Sequence, residues 1–440
     1  GTPEGRALIE RNDQAINLID TVSEACGGNG FTRDQYWECV RTSKHVFTLE
    51  EMDQQNLHSA TLPTQPWSDD YWAIANGILS HRYAHIEKSE EMKWDVAYNA
   101  FWEMPPANFV EQMGVDQLSP AEKYDLLVGD KNFTLTKAMW SEGKNYFDRN
   151  GSVETWMGIC HGWAPAAYML KRPTKAITVK SADGSQDITF YPSDVKSLAS
   201  LLWAKNDYPS KFIGGRCNTK DPQRDANGRV KDQKCFDNNP GTWHLAVVNQ
   251  IAKAKRSFVM DATFDYEVWN QPVVSYSYRY FNLLTGEPSY EWKKSTVTKN
   301  QYAQKDVFTS YRAADTAKLV GVEMKATYIV ETDPAQTMSD SPSRDYTTTV
   351  TYRYDLELNS RNEIIGGEWY TNAHPDFLWT PTKKAKAMGQ VDQYLKTQNA
   401  PRWNTAKALP AMYQQVAPYA SRRGAPLNAV VNGLVKKASK

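Results

Sequence analysis

The sequence predicts an α+β fold: a helix carrying a reactive cysteine packed on an antiparallel sheet carrying a histidine and an aspartate, with a helical N-terminal region. Three observations predict it. Before about residue 130, apolar residues recur at three- and four-residue spacing, the period of a half-buried helix. Between about 305 and 372 they alternate, as in strands with one face buried. Between these regions Cys160 opens a run of small residues compatible with a helix.

The elements follow in order. Helices are expected at 6–22, 72–88 and 120–127, the last with Ser119 as cap and Pro120 at the first helical position. A helix over 160–170 precedes a strand at 176–180 and a helix at 194–205. A polar loop leads to strands at 244–251 and 257–263. Further strands fall at 325–331 and 346–358, separated by a loop over 333–343, and a last helix lies near 427–437. This gives a mostly helical N-terminal region over 1–130, a catalytic core with a β-rich extension over 131–380, and a C-terminal helical tail over 381–440.

Composition excludes several function classes. The 440 residues hold 41% hydrophobic residues, enough to bury a sizeable core. Lys+Arg and Asp+Glu balance at 51 each, so no basic excess points to nucleic acid or an anionic membrane. No apolar run is long enough for a membrane span. The opening Gly1-Thr2-Pro3-Glu4 reads as a mature or trimmed form.

The five cysteines divide unevenly. Cys26 with Cys39, and Cys217 with Cys235, bracket polar, turn-rich loops and are expected to form two disulfides, which places the chain in an oxidising, secreted setting, extracellular or periplasmic; five reduced structural cysteines in a cytosolic protein are the alternative. Closing each loop would contribute roughly 3 kcal/mol in the chain-entropy account. Neither couple has the spacing of a zinc site. Cys160 is the odd thiol.

A thiol becomes a nucleophile where a helix N-terminus or an imidazolium stabilises its thiolate. Cys160, in Met157-Gly158-Ile159-Cys160-His161-Gly162-Trp163, is expected at such a helix start, with Pro165 near the first turn and the amide of Cys160 as an oxyanion donor. A buried structural cysteine is the alternative. His161, its neighbour, points about 100° away on a helix. His81 and His85 lack the Glu of a zinc motif. His45 and His58 have no supporting context, which leaves His244 and His374. If 244–251 and 257–263 pair as a hairpin, Asp261 lies opposite Ala246 and diagonal to His244, where a carboxylate orients an imidazole. Burying an Asp in an apolar strand is otherwise costly. His374 is the reserve base and Asp265 the reserve carboxylate.

The order Cys, His, Asp, with the last two on adjacent strands, resembles papain-like thiol enzymes and transglutaminases. Val268-Trp269-Asn270-Gln271-Pro272-Val273 brings the resemblance closer. With the Cys160 segment, Gly366-Gly367-Glu368-Trp369-Tyr370 and His374-Pro375-Asp376-Phe377-Leu378-Trp379, it resembles the transglutaminase elicitor family, the Phytophthora cell-wall transglutaminases and their bacterial relatives, over most of 150–380. After the hexapeptide this chain continues Val274-Ser275-Tyr276, where the oomycete peptide is basic. That departure bears on elicitor activity, not on the chemistry. The resemblance implies a papain-like core and protein-glutamine γ-glutamyltransfer. Cys160 forms a thioester with a glutamine side chain, His244 moves the protons, Asp261 holds the imidazole, and a lysine amine takes the acyl group.

A transferase must keep water from the acyl-enzyme. Trp163, Trp243 and Trp269 are the candidate substrate-binding walls, with a core role as the alternative. No cofactor is required. Calcium is an option at 221–232, although an EF-hand frame fails there, with Gln223 first and Lys234 last. The expected partners are proteins or peptides with accessible Gln and Lys. A papain-like cysteine protease or amidase with the same triad is the alternative, and an inactive binding protein on the same fold is a third.

Overall fold

The computed structural model describes residues 26, 32–43, 45–85, 93–216, 219, 221–226, 230–232, 235–263, 266–371 and 373–440. The helix expected at 6–22 lies outside them. The chain forms two compact units, each assembled from separate stretches. Unit 1 comprises Gly1–Gln65, Pro209–Ile329 and Thr347–Lys384; unit 2 comprises Pro66–Tyr208, Val330–Tyr346 and Ala385–Lys440.

The described strands, in chain order, are β1 (Ser59–Thr61), β2 (Ile177–Lys180), β3 (Asp187–Phe190), β4 (Ser210–Gly214), β5 (Val259–Asp261) and β6 (Asn270–Phe281). They continue with β7 (Pro288–Ser289), β8 (Thr296–Thr298), β9 (Lys318–Val330), β10 (Tyr346–Leu358), β11 (Ile364–Trp369) and β12 (Phe377–Pro381). Together with the helices they make the fold α+β, as expected.

Unit 1 is built on one sheet in the order β11-β10-β9-β6-β5-β12-β4, with β1 and β7 also on β6 and β8 on β9. The β5–β6, β6–β9, β10–β11, β5–β12 and β12–β4 pairs are antiparallel. Strand β6 shows why the sequence folds so. Tyr276, Tyr278 and Tyr280 are buried while Ser277 and Arg279 face water, a period of two. The tail of β6 toward Asn270 is buried on both faces, as a central strand requires.

One expectation fails in unit 1. The segment read as a strand over 244–251 is a helix, Pro240–Val247, running into a π-turn over Val248–Lys253. No β-hairpin joins it to β5. The run is apolar throughout, so its periodicity distinguishes strand from buried helix poorly. The start signal lies just upstream: Asn239 caps the helix by accepting from Gly241 N at 2.8 Å, and Pro240 takes the first position. The helix docks on β11, where a Cβ on Gly241 would sit 2.9 Å from the Gly366 carbonyl. The expected strand at 257–263 is present only as β5.

Unit 2 is mainly helical. Pro120–Val128 has the expected Ser119 cap in a full capping box with Glu122. The Cys160–Met169 helix packs on Pro192–Lys205, and β2 pairs with β3. Buried ion pairs, Lys123 to Asp194 at 2.6 Å and Arg82 to Glu122 at 2.5 Å, and a half-buried one, Arg172 to Asp345 at 2.5 Å, tie the unit together. In the described part of the helix expected at 72–88, residues 72–85, there are instead two short 3-10 turns, Ile74–Asn76 and Ile78–Ser80. They are split by Gly77 at φ +80°, a left-handed conformation suited to glycine. A Cβ there would lie 2.6 Å from the Trp140 ring, so tertiary packing overrides the helical period.

Candidate functional site

Cys160 is the first residue of its helix, as expected, and is buried in unit 2. Two neighbours fix that start. Ile159 N donates to the Tyr71 carbonyl at 2.7 Å, and Ile74 N to the Met157 carbonyl at 2.9 Å. Gly158 permits this stitch: a Cβ there would stand 2.3 Å from the Tyr71 oxygen. Gly162 lets the helix lie against its neighbour, since its Cβ would stand 2.2 Å from the Ser200 carbonyl. The helix's own bonds begin with Gly162 N and Trp163 N to the Ile159 carbonyl. The first amides of an α-helix have no acceptor four residues back, and this end of the helix is the positive one. Pro165 falls inside the helix rather than in its first turn.

Among the described residues Cys160 is the cysteine outside a disulfide. Cys26 and Cys39 are bonded, and Cys235 is also in a disulfide. Cys217, its expected partner, lies outside the described residues.

His244 and Asp261 are both buried in unit 1, but no hydrogen bond or ion pair joins them. His244 is on a helix, not a strand, so the diagonal placement inferred from a hairpin does not arise. Its Nδ1 meets the Tyr354 hydroxyl at 2.8 Å, and its ring packs on Tyr278. Its Nε2 is buried without a hydrogen-bond partner. Burial lowers its pKa to about 3, with His58 adding to the effect. Asp261 ends β5. Its Oδ1 accepts from Trp269 N at 3.0 Å and from the Thr263 hydroxyl at 3.0 Å, while Oδ2 has no hydrogen-bond partner among the described residues. Burial raises its pKa to about 7 against these donors. Asp265 lies outside the described residues.

Trp163 and Trp243 are fully enclosed. The Trp163 indole donates to the Trp67 carbonyl at 3.0 Å. Trp269 is half-buried and donates to Glu267 at 3.0 Å. At the calcium candidate, Asp225 accepts from the Tyr311 hydroxyl at 2.6 Å, and Asn227 and Gly228 lie outside the described residues.

The structure assembles a different group in unit 1. His374, just ahead of β12, stacks on Trp369 with ring centroids 4.8 Å apart and planes 9° from parallel. Its Nε2 is 3.5 Å from the Asp237 carboxylate, and Asp376 lies in the same cluster. Asn238 N donates to the Asp376 carbonyl at 2.8 Å, and the Asn238 amide donates to the Pro375 carbonyl. The Trp369 indole donates to the Asn238 carbonyl at 2.8 Å. Burial lowers the His374 pKa to about 4; the Pro375 carbonyl opposes this, and Asp237, a third exposed, does not offset it. The His-Pro-Asp triplet and Trp369 were visible in the sequence. Asp237 was not, because only tertiary structure brings it to His374.

The family model for transglutaminase elicitors matches residues 41–400. No curated protein sequence matches the chain. The fold is similar to that of the GP42 transglutaminase from Phytophthora sojae, with a TM-score of 0.53 and 23% identity, covering 84% of this chain and 92% of that one. At that identity the likeness concerns the fold. Among the described residues, no helix is long and apolar enough to cross a membrane.

Proposed function

The chain belongs to the transglutaminase elicitor family, and on that premise we propose that it is a secreted protein-glutamine γ-glutamyltransferase acting through a Cys160 thioester. One observation carries the reading. Within the matched segment Cys160 stands outside any disulfide at the first residue of a helix, where backbone amides favour a thiolate. The thiolate attacks a glutamine carboxamide carbon, the C–N bond breaks, and ammonia leaves with a proton from the base. A lysine amine then attacks the thioester and gives a proton back, forming the isopeptide and restoring the thiolate. The Cys160 amide is the proposed first oxyanion donor. The balance calls for no metal or other cofactor.

His374 fits the base better than His244. A base needs one nitrogen toward the reaction and a group that orients the other. His374 has Asp237 at ion-pair distance and an indole fixing its ring plane. His244 is enclosed by tyrosines and has no carboxylate. Asp237 is then the positioning residue, the role expected of Asp261 from its spacing. The papain-like arrangement belongs to this reading, as does a substrate class of proteins with accessible Gln and Lys. The Cys26–Cys39 bond supports secretion.

Incorporation of a fluorescent primary amine into casein tests it, using wild type, Cys160→Ala, His244→Ala and His374→Ala. The expected result is incorporation by wild type and His244→Ala, and none by the other two. Hydrolysis without incorporation sinks the transferase in favour of a protease or amidase. Activity in His374→Ala restores the His244 assignment.

A further inference from the structure

We propose that Asp237, His374 and Asp376 bind a divalent transition-metal ion of the zinc type, and that the bound ion blocks acyl transfer by occupying the imidazole. The second half rests on His374 being the base; the first does not. One donor atom from each of the three residues lies within 4.8 Å of the others. Metal–ligand bonds of about 2.0–2.1 Å at tetrahedral angles set neighbouring donors roughly 3.4 Å apart. The observed 3.5 Å between His374 Nε2 and Asp237 Oδ2 is that edge, and it exceeds a normal hydrogen bond. Nδ1 is also 3.5 Å from its nearest acceptor, the Pro375 carbonyl. Among the described residues, both polar contacts of an imidazole only 9% exposed are therefore long, at 3.5 Å. A small contraction around a cation would give it a closer one.

The donor chemistry selects the ion. Calcium takes six to eight oxygens, and magnesium is held by oxygen and water. One imidazole with two carboxylates is a nitrogen–oxygen set suited to zinc, cobalt or manganese, and it leaves room for water. The scaffold is already closed. Asn238 bonds both Pro375 and Asp376 through its side chain and backbone, joining the two carboxylate-bearing stretches. Trp369 holds the ring plane and bonds Asn238 in turn.

Zinc chloride titrated calorimetrically into the full chain tests the site. One ion should bind wild type and Cys160→Ala alike. Because even outer-shell changes cost about 10–100-fold in affinity, loss of a ligand in Asp376→Asn or His374→Ala should weaken binding at least about tenfold. Binding lost in Cys160→Ala but kept in Asp376→Asn places zinc on the thiol and overturns the site. So does no binding to wild type. Inhibition is read as each protein's amine incorporation with zinc relative to its own rate without. Wild type should be inhibited, and Asp376→Asn at least about tenfold less sensitive. Equal sensitivity overturns the blocking role. If His374→Ala incorporates amine normally, the base assignment and the blocking mechanism both fail, and the calorimetry still decides the site. Circular dichroism of each variant separates lost binding from lost fold.

Discussion

His244 and His374 sit in two regions of the same unit that differ more than their pKa values do. Burial lowers both, to about 3 and about 4. Around His244 the neighbours are Tyr354, Tyr278 and Trp243, and the side chain is fully enclosed. Around His374 they are two carboxylates and an indole that fixes the ring plane, at a site that still reaches solvent through Asp237. Depressed basicity alone does not mark a base. What separates a packed imidazole from a working one is a group that orients it and a path for the proton.

The largest expected effect breaks the comparison outright. His374→Ala should lower amine incorporation by about 10²–10⁴-fold, the usual span for a lost acid–base group. His244→Ala should stay within about tenfold of wild type when assayed folded. Rates reversed between the two would exchange the regions' roles.

Stability should run the other way. His244→Ala leaves a cavity in an aromatic cluster and removes the Tyr354 partner, at a cost of about 2–5 kcal/mol. His374→Ala, just ahead of β12 and beside the part-exposed Asp237, should cost less. Urea midpoints for the two variants check the order.

A pH series sharpens it further. The folded-state pKa of His244 lies below its ordinary value of 6.5, so the unfolded chain binds the proton more readily. Stability is therefore retained above pH 6.5 and lost as pH falls toward 3, by up to about 1.4 kcal/mol per unit from this group. His244→Phe should flatten that acid slope. Asp261 has the opposite sign: its pKa is raised from 3.8 to about 7, so its contribution is lost as pH rises across that window. Asp261→Asn should remove that loss. Urea unfolding of each variant between pH 4 and 7 reads both slopes; unchanged slopes would mean that the groups are better solvated than their burial implies.

The smallest effect concerns orientation. Trp369→Phe keeps a ring against His374 but deletes the bond to the Asn238 carbonyl. Losing a single neutral hydrogen bond costs about 0.5–1.5 kcal/mol. Amine incorporation should fall less than tenfold, with the change in kcat rather than KM.

Elements with local signals were legible in the sequence. Ser119-Pro120 announced its helix, and β10 spans the alternation over 346–358. The C-terminal helix, Asn428–Ala438, falls within a residue of its expected place. Elements whose conformation is set by distant packing were not. Gly77 breaks an apparent helix because Trp140 fills the space beside it. The segment from Pro240 to Val247 is helical because Gly366 and Gly367 let it dock on β11, and its apolar run carried too little periodicity to say so. The site divides the same way. Cys160 was readable because a helix start and a glycine before it are local features. The hairpin inferred for His244 failed with the strand on which it depended.

By itself the sequence determined the α+β class, the family motifs, the Cys26–Cys39 couple and Cys160 at a helix start. Each depends on residues close in the chain or on composition, where propensity and spacing act directly. Only tertiary structure decided which imidazole meets a carboxylate. Asn238 and Pro375, which join the two stretches, are 137 residues apart. No local period records such a meeting; it is fixed by the sheet that brings β12 beside β4 and β5 and by the hydrogen bonds that close the loop upon it.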